Sequence, residues 1–305
     1  MAGYVVKRVI QAIFLLKLVM IIVFLLLHMT GDPVSVMMDT DATLEDIAYM
    51  KKLMGFDQPL WVQYARFFKG AIQGNFGESI EHGEPAMALV LERFPATLEM
   101  ALGAFMFAVV IGIPFGCLAA FKEDSLYDKG CVGISVLIQA VPDFWLAIMF
   151  IMFFSVFLGV LPSFGRGGWS HFIMPAFAAS TYHLARMARL MRSQMLEVMR
   201  QDYITTARAK GLNEKIILMV HALKNSAIPI VTVLGLDLGI LLGGTVIIEV
   251  VFAWPGVGRL VVQAIANRDF PIVQSAVFLM ASGFVIINLT VDLLYAYLDP
   301  RISYS

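Results

Sequence analysis

Asp202-Tyr-Ile-Thr-Thr-Ala-Arg-Ala-Lys-Gly211, continued from Leu212 to Pro229 as LNEKIILMVHALKNSAIP, is a polar and basic interruption in a chain that is otherwise largely apolar. Asp202 is placed to act as an N-cap and Gly211 to supply the left-handed residue just past a helix end, so the stretch predicts a helix of about two turns. A helix that short is marginal in isolation and needs something to lean on. Ala207 and Gly211, four apart, leave one side smooth, while Arg208, Lys210 and Lys215 ring it with positive charge. These residues suit a knob that enters a partner's groove; they equally suit a solvated loop on the basic side of a membrane.

Composition sets the surroundings. Hydrophobic residues make up 59% of the 305 and charged residues 15%, and mean hydropathy is +0.80, whereas soluble domains are roughly one-quarter charged. The chain therefore reads as a polytopic membrane protein. Net charge is −1 and the basic residues cluster by loop, which excludes a nucleic-acid-binding face. Cys117 and Cys131 lack CxxC spacing and read as reduced packing residues. His28, His82, His171, His183 and His221 are scattered without a pair at ligand spacing, so no metal site and no catalytic residue is expected. No GxxxxGK(S/T) phosphate loop occurs; if ATP drives this chain, another chain binds it.

Taken in order, Val9 to Met29 is apolar and long enough to cross a bilayer, which takes about 20 residues. Lys17 inside it is expected to snorkel, because a charge deep in a span costs about 2.5–3.5 kcal/mol. The polar stretch 30–97 is expected outside the membrane. It predicts a helix from Leu44 to Leu53, capped by Thr43 and Asp46 and ended by Gly55, and a second after Pro59 with Trp61, Tyr64, Phe67 and Phe68 on its aromatic side. Further spans are predicted at Leu98 to Phe121, kinked at Pro114, at Cys131 to Leu161, with Pro142 near its middle, at Ala227 to Phe252 and at Pro271 to Leu298. Between them, Phe172 to Met199 predicts one long helix that leaves the membrane, its Met187, Met191, Met195 and Met199 packing on a neighbour. The turn Ala253-Trp-Pro-Gly-Val-Gly258 leads into a small amphipathic helix, Arg259 to Ala266, at the outer surface. Three units result: a first transmembrane helix over 1–29, an external helical segment over 30–97, and a five-helix domain over 98–305 with its polar loop at about 200–225.

The run from Asp202 to Val231 resembles the cytoplasmic loop of the permease subunits of binding-protein-dependent ABC importers, in particular their dipeptide, oligopeptide and nickel branch. The general importer pattern is Glu-Ala-Ala, three residues, Gly, nine residues, Ile-x-Leu-Pro. Of the positions from Thr205 to Lys224 that align with it, only Ala207, Gly211 and Leu223 fit, and the TARAKG core is the peptide branch's own variant. Gly55 to Ser79, Gly243 to Gln274 and Asn288 to Ile302 are similar to the same branch, so the likeness covers nearly the whole chain. It implies an all-α membrane protein of the type I ABC importer permease fold, six spans with a cytoplasmic coupling helix. It implies partners as well: a second related permease, two ATPase subunits that carry the ATP and Mg, and an extracytoplasmic solute-binding protein. Asp202, Tyr203, Thr206, Ala207, Arg208, Lys210 and Gly211 would then contact the ATPase. The chain itself would be no enzyme and hold no cofactor.

Basic residues set the orientation. With the amino terminus inside, the inner segments hold Lys7, Arg8, Lys122, Lys129, Arg186, Arg189, Arg192, Arg200 and the basic residues of the polar loop, against Arg166, Arg259 and Arg268 in the two short outer loops. Both termini are therefore expected on the cytoplasmic side of a bacterial or archaeal inner membrane. Polar groups inside spans are expected to face the bundle interior or a water-filled passage. Gln139, Asp143, Asp237, Glu249, Asn288 and Asp292 are thus candidate passage residues, although each acid can instead partner a hydroxyl or a helix end. A secondary transporter would show an inverted repeat, and none is found in these spans. An intramembrane enzyme would need a His/Glu or Ser/Lys pair on facing helices, and a membrane scaffold would leave the 202–211 stretch unexplained. Among substrates the branch's peptides come first, nickel or metal chelates and glutathione second.

Overall fold

The computed structural model describes residues 2–29 and 43–298, so the first part of the stretch 30–97 and the end of the run Asn288 to Ile302 lie outside the described residues. Within the described residues the chain is helical, with a single isolated bridge between Glu78 and Pro85 in place of any strand. Helix α1 is Ala2–Met29, α2 Leu44–Met54 and α3 Leu60–Ile72. Helix α4, Ala86–Phe107, runs through a π-helical turn at Ala108–Gly112 into α5, Ile113–Phe121. Then come α6, Leu126–Ala140; α7, Asp143–Phe150, extended by a π-helical turn to Phe157; and α8, Trp169–Met199. Helix α9 is Asp202–Ala209, α10 Glu214–Ile216 and α11 Leu223–Gly244, with α12 at Val246–Val251, α13 at Val257–Ala266 and α14 at Phe270–Leu298.

Helices α2 and α3 form for the reasons read from sequence. Thr43 and Asp46 make a capping box, Asp46 N–H donating to Thr43 Oγ1 at 3.2 Å and Thr43 N–H to Asp46 Oδ2 at 3.1 Å. Gly55 ends α2 at φ 75°. The aromatic side of α3 packs on α1: the Phe24 ring lies 5.4 Å from that of Tyr64 and 5.7 Å from that of Phe67. Asp269, fully buried, accepts from Ser79 Oγ at 2.5 Å and from Ile272 N–H at 3.4 Å. It thereby pins the loop at Ser79 to the start of α14.

Three helical stretches among the described residues are long and apolar enough to cross a membrane, Val5–Leu25, Ala86–Phe121 and Phe270–Leu293; the number is five if the bent pairs α6 with α7 and Glu214–Ala227 with Pro229–Gly244 each count as one span. Apolar side chains such as Ile13 and Phe14 on α1 and Leu137 on α6 point outward and are 61%, 68% and 67% exposed, as a lipid-facing surface requires. Helix α4 starts at Ala86, just after Pro85, whose fixed φ suits the residue ahead of a first turn, so Thr97 and the span expected from Leu98 lie inside one longer helix. One expectation is corrected. The third span is not continuous: α6 and α7 meet at 101°. Pro142 lacks the N–H to continue α6 and drives Val141 into the extended region, at φ −97° and ψ 130°.

Helix α8 is the axis of the bundle. Gly112 and Gly116 let the α4–α5 rod close on it, a Cβ at Gly112 falling 2.9 Å from the Leu184 carbonyl oxygen and one at Gly116 colliding with that of Ala188. Association of helices in lipid relies on such close backbone approach, since burial of apolar surface gains nothing there. Met187, Met191 and Met195 are buried against Ala120, Ala222 and Ile230, the packing role expected of the stripe. At the other end, Trp254 is fully buried and donates from Nε1 to the Ala96 carbonyl at 2.8 Å. Arg8 near the start of α1 pairs with Asp292 near the end of α14 at 2.9 Å, so these two helix ends lie side by side.

Candidate functional site

The polar stretch folds as a helix of two turns between the end of α8 and the start of the α10–α11 rod. Asp202 is the first helical residue and not the N-cap, a correction to the sequence reading; Gln201 holds the cap position, extended at ψ 150°. The Asp202 carboxylate complements the positive helix end from inside the first turn. Gly211 does take the left-handed conformation, φ 76°. Its N–H donates to the Arg208 carbonyl at 2.9 Å and the Leu212 N–H to that of Ala207 at 3.3 Å, the paired bonds of a Schellman ending.

What the helix leans on is its own chain. Ile204 and Ile217 are fully buried and Ala207 is 8% exposed; together they form a small core of their own. Ala207 thus faces inward, and the outward side carries Tyr203, Thr206, Arg208, Lys210 and Gly211. Three hydrogen bonds fix that side. Arg208 Nε donates to Glu214 Oε1 at 2.7 Å, Thr206 Oγ1 to the Asp202 carbonyl at 2.9 Å, and Asn225 Nδ2 to the Tyr203 hydroxyl at 3.1 Å. Below it, Arg192 grips both carboxylate oxygens of buried Asp128, and Arg200 pairs with Glu123 at 2.7 Å. The knob is therefore seated on the segment that follows it, Glu214 to Asn225, beside the end of α8.

The candidate passage residues separate into three places. Glu249 is fully buried and engaged on both oxygens: Oε1 accepts from Thr97 Oγ1 at 2.8 Å and Thr245 Oγ1 at 3.1 Å, Oε2 from Arg259 N–H at 3.1 Å. Since Val257 N–H donates to Thr97 Oγ1 at 2.8 Å, this carboxylate holds the amino end of α13 against α4. A Cβ at Gly256 would collide with it, which is why glycine stands in that turn. Asn288 donates to the Phe284 carbonyl at 2.9 Å, and Asp292, one turn on, pairs with Arg8. Gln139, Asp143 and Asp237 converge on α8. Asp237, 1% exposed, accepts from Arg186 Nη1 at 2.7 Å and has His183 Nδ1 3.3 Å away; Asp143 opens α7, which packs along α8; Gln139 accepts from Arg189. Arg186 and Arg189, counted from sequence with the loop charges, belong to the bundle. Their spacing of three places both on one helix face, but nothing local marks which face meets an acid.

Residues 112–304 match the family described as the binding-protein-dependent transport system inner membrane component, and residues 1–101 match the amino-terminal family of the same membrane components. The dipeptide transport system permease protein of Alkalihalophilus pseudofirmus is 37% identical, and the glutathione transport system permease protein of Escherichia coli 38% identical, each alignment covering 100% of both chains. A solved chain of the inward-facing MetNI methionine ABC transporter superposes with a TM-score of 0.59 over 70% of this chain and 97% of its own, at 21% identity, a likeness of fold. The chain is a member of the binding-protein-dependent transport system inner membrane components, the permease subunits of ABC importers.

Proposed function

We propose that the chain forms half of the translocation pathway of an ATP-driven importer for di- or oligopeptides delivered by a solute-binding protein. The observation that carries this reading is the basic knob at Asp202–Gly211, seated on Ile217 just past the end of α8, in a chain alignable end to end with a dipeptide permease. The knob is the coupling helix: closure of two partner ATPases, which bind the ATP and Mg, pushes on Tyr203, Thr206, Arg208 and Lys210, and α8 carries the motion to the bundle. Ala207 acts from beneath, as the seat on Ile204 and Ile217.

Six spans fit this role, the sixth being α8, whose 31 residues extend about 46 Å and so reach beyond the bilayer. Both termini then lie in the cytoplasm, in keeping with the neighbouring ends of α1 and α14 and with the basic inner loops. The units 1–29, 30–97 and 98–305 serve as first span, external segment and importer core. A second, related permease completes the pathway, and the external helices α2, α3 and α13 receive the binding protein. The 38% identity to a glutathione permease favours a second reading in which the cargo is that modified tripeptide.

The test is uptake into proteoliposomes holding both permeases and both ATPases, with the binding protein outside and ATP inside. Labelled dipeptide accumulates only with ATP; uptake driven by a proton gradient without ATP would overturn the reading.

A further inference from the structure

A charged seam crosses the middle of the bundle where α6 breaks from α7. Asp237 lies fourteen residues into α11, within its apolar part. It is 1% exposed, and its Oδ1 takes both the Arg186 bond at 2.7 Å and the approach of His183 Nδ1 at 3.3 Å, while Oδ2 has no hydrogen-bond partner. His183, 6% exposed, likewise makes no hydrogen bond from Nδ1, nor does Arg189 from Nε. Three polar atoms thus stand unsatisfied within one patch, against the rule that buried polar groups are paired. From there the patch opens outward: Arg189 binds Gln139, the last turn of α6, and Asp143 sits exposed as the first residue of α7.

Two features point to a ligand. The patch has two carboxylates and two guanidiniums, and discontinuous helices at membrane depth frame binding sites because they free backbone and end groups for cargo. The helix break at 101° follows directly on Gln139, which accepts from Arg189.

We propose that Gln139, Asp143, His183, Arg186, Arg189 and Asp237 form a transient subsite for the two charged ends of a free peptide. Arg189 and Arg186 take the carboxylate; Asp143, backed by Asp237, takes the ammonium. The proposal rests on the peptide-importer reading and adds a place within the pathway where the zwitterion is held. Charges in a low-dielectric site are recognised in pairs or not at all, so a cargo with one end blocked leaves a protein charge unmatched.

The experiment uses the purified permease–ATPase complex in detergent, without binding protein, and labelled alanylphenylalanine with its N-acetyl and C-amide forms as competitors. Wild type binds the free dipeptide and each blocked form about tenfold more weakly, the loss of one charge-assisted hydrogen bond. Arg189→Gln leaves no buried acid unpaired; it removes the preference over the amide and keeps that over the acetyl form. Asp143→Asn, at an exposed position, does the reverse. A structural effect would lower all three forms alike. Absence of binding in wild type, equal binding of blocked and free peptide, or unchanged preferences in both variants would overturn the subsite. Failure of ATP-driven dipeptide uptake in proteoliposomes, with these preferences intact, would instead overturn the importer reading.

Discussion

Thr97 donates a 2.8 Å hydrogen bond to Glu249 with both side chains fully buried, joining the span at α4 to the turn that launches α13. The same hydroxyl oxygen accepts from Val257 N–H at 2.8 Å. Thr97→Val keeps the shape and removes both bonds, leaving a buried carboxylate short of a donor and a buried N–H short of an acceptor. The expected loss is about 1–3 kcal/mol per orphaned group. Thermal unfolding in detergent measures it, and Thr97→Ser recovers most of it; a Val variant as stable as wild type contradicts the brace.

Gly116 and Gly130 offer opposite outcomes. A Cβ at Gly116 strikes the Ala188 carbonyl and Met191, so Gly116→Val separates α5 from α8 and costs about 1–3 kcal/mol by overpacking. At Gly130, inside α6, a Cβ meets open space, so Gly130→Ala stabilises by about 0.4–1 kcal/mol. Melting temperatures of the two variants should move in opposite directions.

The capping box of α2 predicts a pH dependence. Donation from the Thr43 hydroxyl and backbone holds the Asp46 carboxylate below its ordinary range. A depressed acid lends its stabilisation fully above its unfolded value of about 4 and loses it as pH falls through the lower, folded value. Amide exchange over Leu44–Met54, compared between pH 6 and pH 3 with its intrinsic pH dependence removed, should show falling protection. Thr43→Ala should flatten that difference; an unchanged profile rejects the capping role.

The knob separates seating from contact. Ile217→Ala removes a fully buried side chain beneath α9 and costs about 2–5 kcal/mol locally. It should raise amide exchange over Asp202–Ala209 and lower uptake. Gly211→Asp places its Cβ in open space, though at φ 76°, so the fold and insertion persist while a charge obstructs docking. Uptake is expected to vanish with the protein still in the membrane; normal uptake contradicts the contact.

Legibility followed the range of the interaction. Thr43, Asp46, Gly55 and Gly211 act within four residues, and their caps and turn were readable, as was the stripe of Met187, Met191 and Met195. Asp202 was misplaced by one position because Gln201 and Asp202 both offer polar atoms there, and the chain's path out of α8 decides between them. The brace that Glu249 makes was not readable because its partners Thr97 and Arg259 arrive from other elements. The bend at Pro142 was visible as a proline but not as an angle of 101°, which depends on how α7 packs against α8. Arg186 and Arg189 were counted with loop charges because only the fold brings Asp237 and Gln139 to them.

The central claim, a permease driven by partner ATPases through the 202–211 helix, is tested most directly by gentle purification of the chain from native membranes, with partners identified by mass spectrometry and ATP hydrolysis assayed in the eluate. A second permease and P-loop ATPases should co-purify with hydrolytic activity, and Gly211→Asp should weaken both. Recovery of the chain alone, with no ATPase and no hydrolysis, would contradict it.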